Sequence, residues 1–308
     1  MAKSKWTTQQ IGDLSGQTAI VTGANTGLGL ETASKLAAAG AHVLLAVRNL
    51  GKGASALATI RDRHPDTSAR LIELDLAVLT SVRSAAGAIL ATTDRIDLLI
   101  NNAGVMYTPA ATTADGFEMQ FGTNHLGHFA LTNLLLERIT ATARSRIVTV
   151  SSVGHKIKSK IDLDTINSLD NYDRIAAYGR SKLANLLFTY ELQRRLDDAE
   201  VSTLAVAAHP GGSHTELGRN SPLPMRLAIA ATKPLQQSAA MGALPTLRAA
   251  TDPEASGGTY YGPDGPGEMR GHPELVESSK RSHDTDLQRR LWDLSETLTK
   301  PGRIPDRS

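Results

Sequence analysis

The chain has 308 residues, 41% of them hydrophobic and 21% charged, with a net charge of +2 at neutral pH and no cysteine. This composition builds a sizeable soluble core and excludes disulfides, cysteine-ligated metals and thiol nucleophiles. The near-balanced charge gives no reason to expect nucleic acid, and Lys156, Lys158 and Lys160 read as a solvated loop rather than a binding tail.

The N-terminal MAKSKWTTQQIGDLSGQ is polar and lacks the apolar core of a signal peptide. No window approaches the roughly 20 apolar residues of a membrane span, so no membrane span and a cytoplasmic location are expected. Apolar strand-like runs follow at 18–22, 42–47, 70–74, 96–100, 146–150 and 201–207. Helical stretches lie between them, at 30–39, 50–63, 82–92, 122–139 and 178–196, and a last one closes the chain at 284–298. Short apolar strands alternating with helices predict an α/β fold: a doubly wound parallel sheet with helices on both faces, in a single domain. The rhythm breaks at 153–177 and at 211–251, and again at the Gly/Pro-rich loop YYGPDGPGEMRGHP. The core is expected over about 16–262, with 211–251 as a lid or wall over an apolar substrate, or else as a core helix or an interface, and 263–308 as a C-terminal extension.

The turn after the first strand reads TGANTGLG, with Gly23, Gly27 and Gly29 at GxxxGxG spacing. In a Rossmann-type turn, one glycine permits the tight bend, another lets the backbone approach a pyrophosphate, and a third lets helix and strand pack closely. The helix N-terminus then offers free N–H groups to the phosphates. A tight turn with no ligand would use the same residues. The second strand ends without an acid, at Ala46-Val47, and Arg48 follows. An acid there would suit the ribose of NAD, whereas an arginine suits a 2′-phosphate and favours NADP.

Further along, Asn101-Asn102-Ala103-Gly104 ends a strand at the expected ligand edge, and Ser151-Ser152 ends another. Tyr178 and Lys182 are four residues apart, one turn apart on one helical face. A neighbouring cation favours the phenolate, so the pair is expected to lower the tyrosine's pKa and serve as acid and base on a carbonyl or alcohol. His125/His128 and His209/His214 are paired histidines without an evident third ligand, so no metal is expected.

Taken together, TGANTGLG (22–29), Asp75-Leu76, NNAG (101–104), Asn124, Ser152, YGRSK (178–182) and HPG (209–211) resemble the short-chain dehydrogenase/reductase family. SKLANLLFTYEL, HPGGSHTEL and the long interval from Ser152 to Tyr178 are similar to its retinol dehydrogenase and protochlorophyllide reductase branch. The resemblance implies that Tyr178 is the general acid/base and that Lys182 lowers its pKa and binds the nicotinamide ribose. Ser152, rather than Ser151, would orient the substrate carbonyl, and Asn124 would hold a water linking Lys182 to solvent. It further implies a cofactor site made of Gly23, Asn25, Thr26, Gly27, Leu28, Gly29, Arg48, Asn49, Asp75, Leu76, Asn102, Ala103, Gly104, Tyr178, Lys182, Pro210, Gly211 and Thr215.

The implied activity is hydride transfer between NADP, with NAD less favoured, and a small-molecule carbonyl or alcohol. The stretches 122–139 and 178–196 would form the interface of a homo-oligomer. Gly212 and Ser213 depart from the bulkier residues of HPGVV-type relatives, and a looser closure over nicotinamide is expected. An NADP-binding sensor without turnover is the alternative from another class, and a sugar-nucleotide epimerase is a second enzymatic one.

Overall fold

The computed structural model describes residues 5–212 and 237–300. Strands β1 (Thr18–Thr22), β2 (His42–Val47), β3 (Ala69–Glu73), β4 (Leu98–Asn101), β5 (Arg146–Val150), β6 (Leu204–Ala208) and β7 (Tyr260–Pro263) are parallel, and β8 (Pro273–Leu275) runs antiparallel to β7. Their order is β3-β2-β1-β4-β5-β6-β7-β8. The helices are α1 (Gly27–Ala38), α2 (Leu50–Arg63), α3 (Leu79–Thr92), α4 (Met119–Phe121), α5 (Gly127–Thr140), α6 (Arg174–Asp198), α7 (Ala239–Thr251) and α8 (Thr285–Thr299), with a π-turn over Gly122–Leu126 joining α4 to α5.

The two-residue period of the strands divides the apolar residues between two cores. Ala19, Val21, Val43, Leu45 and Val206 meet α1 and α7 on one face, while Ile20, Leu44, Leu99, Ile147 and Ala205 meet α3, α5 and α6 on the other. Burial on both faces explains why these strands read as continuous apolar runs. Asp97 locks three strand starts together. Its carboxylate accepts the N–H of Thr18 at 2.9 Å, and its carbonyl accepts that of Arg146 at 2.7 Å.

Several boundaries differ from the sequence reading for local reasons. α6 begins a turn earlier than 178, because the Asp173 side chain accepts the N–H groups of Ile175 and Ala176 and caps it. The YYGPDGPGEMRGHP stretch, expected as loop, contains β7 and ends on the first residue of β8. Its prolines are accommodated because Pro263 and Pro273 pair across two short strands at the sheet edge. Of the expected lid or wall, 213–236 lies outside the described residues, while Ala239–Thr251 is a core helix: Ala243, Leu244, Leu247, Ala249 and Ala250 pack beneath α1.

α8 crosses α6, the helix expected at a subunit interface. Trp292 stacks on Phe188 with centroids 5.8 Å apart and meets Phe129 edge-on at 5.0 Å, and the Arg195 guanidinium lies 4.3 Å above its ring. The face of α6 that carries Phe188 and Arg195 is therefore covered by α8. No helix among the described residues is long and apolar enough to cross a membrane.

Trp292→Ala is expected to destabilise the fold by about 3–5 kcal/mol, the range for removing a buried aromatic. Denaturant unfolding checks this, and a loss below about 1 kcal/mol would show that α8 is not integral to the core.

Candidate active site

The crossovers after β1 and β4 leave to opposite faces of the sheet, α1 onto one core and α5 onto the other, and a cleft opens between the strand ends. Gly23 turns the chain with φ +67° and donates its N–H to the Ala46 carbonyl at 2.8 Å. A Cβ on Gly29 would lie 2.4 Å from the Gly23 carbonyl oxygen and 2.6 Å from Nδ2 of Asn102, so only glycine lets α1 sit this close.

Thr22 joins the two strand ends. Its hydroxyl accepts the N–H groups of Asn102 (2.9 Å) and Ala103 (3.0 Å), and its carbonyl accepts Nδ2 of Asn102 at 2.8 Å. The same hydroxyl lies 2.9 Å from Nε2 of His128, whose Nδ1 is 3.0 Å from the Asn124 carbonyl. A carbonyl can only accept, so Nδ1 carries the proton and Nε2 accepts from Thr22. Burial pushes His128 down to about 4, which keeps the ring neutral.

The cleft, about 280 Å³, is lined by Gly23, Asn25, Thr26, Gly27, Leu28 and Gly29 from the turn, by Arg48 and Asn49 after β2, by Asp75 and Leu76 after β3, and by Asn102, Ala103 and Gly104 after β4. Lys52, Ala46, Leu74, Val105 and Thr123 complete the lining and were not singled out from the sequence. The signal for Lys52 was its place on the first turn of α2. The Asn49 side chain accepts the Lys52 N–H at 2.9 Å and caps that helix, which sets the lysine beside Arg48 on the same cleft. Ser81 Oγ accepts the Asp75 N–H at 2.9 Å, and Asp75 Oδ1 accepts that of Ala77 at 3.0 Å.

The second cluster is buried at the end of β5. Ser151 and Ser152 separate there: Ser151 is buried and donates to the Lys182 carbonyl at 2.8 Å, whereas Ser152 is half-buried and hydrogen-bonded to Tyr178. Gly154 makes room for the phenol, since a Cβ there would lie 3.0 Å from Cε1 of Tyr178. Lys182 donates from Nζ to the Val150 carbonyl at 3.0 Å, and that Nζ stands 5.9 Å from the Tyr178 ring centre. The Asn124 side chain accepts the Val105 N–H at 2.7 Å and donates to the Val105 carbonyl and to Ser181 Oγ, both at 2.9 Å.

Burial raises Tyr178 to about 12, against a smaller opposing pull from the Ser152 hydrogen bond. Burial also lowers Lys182 to about 8. The expectation that Lys182 draws the tyrosine's pKa down is therefore corrected. Desolvation disfavours both charged forms, and it outweighs an ammonium placed nearly 6 Å from the ring.

Pro210 and Gly211 stand at the end of β6, and neither they nor Tyr178 and Lys182 line the cleft. Thr215 lies outside the described residues, as do Ser213 and His214. At Gly212 a Cβ would lie 2.5 Å from Cε of Met269, a side chain of the C-terminal loop. That loop is held by Glu268, which is 3.0 Å from both Nζ of Lys156 and Nε2 of His209. His209 and Lys156 hold the Glu268 carboxyl down at about 2, against its own desolvation. His125 is neutral, pushed down to about 3 by burial, and lies 2.9 Å from Ser295 Oγ. Among the described residues, no three histidine, aspartate or glutamate side chains converge as a metal site.

A family model for the short chain dehydrogenases matches residues 17–224. Retinol dehydrogenase 13 of Homo sapiens is 50% identical over 207 residues, 67% of this chain and 62% of its own length. The chain thus spans under two thirds of that relative. Retinol dehydrogenase 14 of Mus musculus is 39% identical over 302 residues, 93% of this chain and 87% of its own. The crystal structure of an uncharacterised protein from Mycobacterium paratuberculosis superposes with a TM-score of 0.80 at 42% identity, covering 96% of this chain and 98% of that one. The chain belongs to the short-chain dehydrogenase/reductase family of NAD(P)-binding oxidoreductases, on the retinol dehydrogenase-like branch.

The depressed pKa of Lys182 has a consequence for stability. Between about pH 8 and its ordinary value of 10.5, the unfolded chain binds the Lys182 proton and the folded chain does not. Folding is therefore penalised below pH 8, and the penalty disappears as pH rises through that window. The stability of the wild type relative to Lys182→Met should increase by about 3 kcal/mol from pH 7.5 to 10.5. Urea titrations of both proteins check this, and a constant difference would mean that Lys182 is not desolvated.

Proposed function

We propose that this protein is an NADP(H)-dependent oxidoreductase that moves a hydride between nicotinamide and an apolar carbonyl or alcohol. The reading rests on the junction of cleft and cluster. Gly104 lines the cleft, and a Cβ on it would lie 3.0 Å from Oδ1 of Asn124 and 3.6 Å from Nζ of Lys182. A dinucleotide running from Arg48 to Gly104 ends beside Lys182.

The residues fit such a cofactor. Gly23 and Gly29 leave the backbone bare at the N-terminus of α1, where pyrophosphate is favoured. Arg48 and Lys52 supply two cations at the far end, and the end of β2 carries no carboxylate to repel a 2′-phosphate. A bound nicotinamide supplies or takes up the hydride. The protein orients and handles the proton. Tyr178, raised by burial, is a neutral phenol at pH 7 and donates its proton to a carbonyl oxygen held by Ser152. Lys182, at about 8, remains largely cationic there and holds the ribose hydroxyls next to the phenol. The relatives named for retinol support an apolar substrate. A sensor without turnover has no use for Ser152, Tyr178, Lys182 and Asn124 in one buried cluster.

Titration with NADPH and NADH, followed by nicotinamide fluorescence, is expected to show NADPH preference. Arg48→Glu combined with Lys52→Glu should reverse that preference by tenfold or more, roughly one lost charge-assisted contact. An unchanged ratio would remove both residues from the phosphate site. Tyr178→Phe should abolish turnover while NADPH still binds, and near-normal rates in that variant would overturn the mechanism.

A further inference from the structure

His155 is fully buried in the short helical turn Val153–Lys156 that follows Ser152. Its ring joins Ser152 to Ser279, which lies 124 positions further along the chain than the histidine. Nδ1 is 2.6 Å from the Ser152 carbonyl oxygen, and Nε2 is 3.1 Å from the Ser279 backbone nitrogen. The carbonyl only accepts and the amide only donates, so one tautomer serves both: Nδ1 carries the proton and Nε2 takes the Ser279 N–H. Burial pushes His155 down to about 4, against an upward pull from its hydrogen bond to Ser152, and the ring is neutral at pH 7.

The rest of Ser152 is placed as tightly. Its carbonyl also accepts the His155 N–H at 3.0 Å, which uses both lone pairs. Its hydroxyl oxygen accepts the Gly154 N–H at 3.1 Å, leaving the hydroxyl proton and one lone pair for Tyr178 and a substrate oxygen. The Ser279 end is anchored in turn. Ser282 Oγ donates to the Ser279 carbonyl at 2.5 Å, and Gln288 Nε2 on α8 donates to the Ser282 carbonyl at 2.6 Å. Ser278 Oγ lies 2.8 Å from the hydroxyl of Tyr190 on α6. The Tyr260 ring of β7 meets the imidazole edge-on, with centroids 5.7 Å apart and planes at 82°. An aliphatic side chain would fill this space without the cost of burying two polar nitrogens. Here each nitrogen is committed to a backbone group, and one of those groups belongs to Ser152.

We infer that His155 is a positioning residue for Ser152: its Nδ1–H fixes the Ser152 carbonyl, and so aims the hydroxyl, from an anchor at Ser279. The inference rests on the carbonyl-oxidoreductase reading above and adds to it a residue that acts through Ser152.

Two variants separate the two ring nitrogens. Asparagine sets its amide where Nδ1 stands and still donates to Ser152, whereas glutamine sets its side-chain carbonyl where Nε2 stands and still accepts from Ser279. The assay is NADPH-dependent reduction of octanal or, if another member of an aldehyde and ketone panel is reduced faster, of that compound. His155→Gln should lose about 10- to 100-fold in kcat, the scale of a misplaced catalytic group, with melting temperature and NADPH affinity near wild type. The loss falls on kcat rather than KM because a hydrogen bond to the carbonyl oxygen strengthens as charge develops there. His155→Asn should keep kcat within about threefold of wild type and melt earlier, because the Ser279 N–H loses its acceptor. Unchanged kcat in His155→Gln overturns the role and leaves the carbonyl reading standing. Equal kcat losses in both variants, or a glutamine variant that does not fold, show a structural role and overturn it as well. A wild type that binds NADPH and reduces no carbonyl of the panel overturns the underlying reading, and the role with it.

Discussion

The structure depends on one junction, the meeting of the ends of β1 and β4 at Thr22. Two backbone N–H groups from Asn102 and Ala103 converge on one hydroxyl, and Asn102 returns its side-chain amide to the Thr22 carbonyl. Those groups lie at the floor of a cleft and would otherwise lack partners once a ligand covered them, which is costly for buried backbone. Satisfying them within the protein leaves the N-terminus of α1 free to face outward. Neutral His128 extends the same lock to Asn124 and so connects the cofactor floor to the π-turn before α5. A π-turn at a functional site is a recurrent deviation from regular helix, and here it carries the asparagine that clamps Val105.

Glycine is used at this junction to bring elements closer than a methyl group would permit. Gly29 meets Gly23 and Asn102, Gly127 brings α5 against the Leu76 carbonyl, and Gly179 brings α6 against the Ile157 carbonyl, each at 2.6 Å or less from a would-be Cβ. The last contact seats the loop after Ser152 on the helix that carries Tyr178 and Lys182. The spacing between serine and tyrosine is thus set by backbone contact rather than by long side chains, the kind of rigid support that preorganised chemistry needs.

The parallel sheet and the cleft at its edge were legible because they obey local rules. Strands buried on both faces appear as unbroken apolar runs, and glycines at a strand-to-helix turn mark a tight bend and a close approach of backbone. Thirteen residues proposed for the cleft line it, Gly23, Gly27, Gly29 and Arg48 among them. Lys52 was missed because its significance depends on the Asn49 cap rather than on any motif. β8 was missed because prolines and glycines mask a short edge strand. The role of α7 stays open between lid and core in the sequence, because a helix rich in Leu, Ala and Met has the same composition in either place, and the fold puts it in the core. The pKa of Tyr178 was misjudged for a different reason: spacing on a helix gives proximity to a cation, but the degree of burial, which wins here, is a tertiary property.

Burial makes charge expensive at this cluster, and that bears on how the site would operate. Tyr178 and Lys182 are each pushed toward their neutral forms, so the protein alone keeps a protonated phenol beside a lysine that surrenders its proton easily. The hydrogen bond with Ser152 offsets part of the desolvation of the phenol. Under the proposed reaction, the position of Ser152 sets both substrate orientation and the acid's strength. That position depends in turn on remote chain, because the turn after Ser152 is tied through Lys156 to Glu268 and His209, and Met269 beside them fills the gap at Gly212. Under the proposed reaction the proton chemistry is thus built into the sheet and α6, and its setting depends on contacts that the C-terminal loop makes far along the chain.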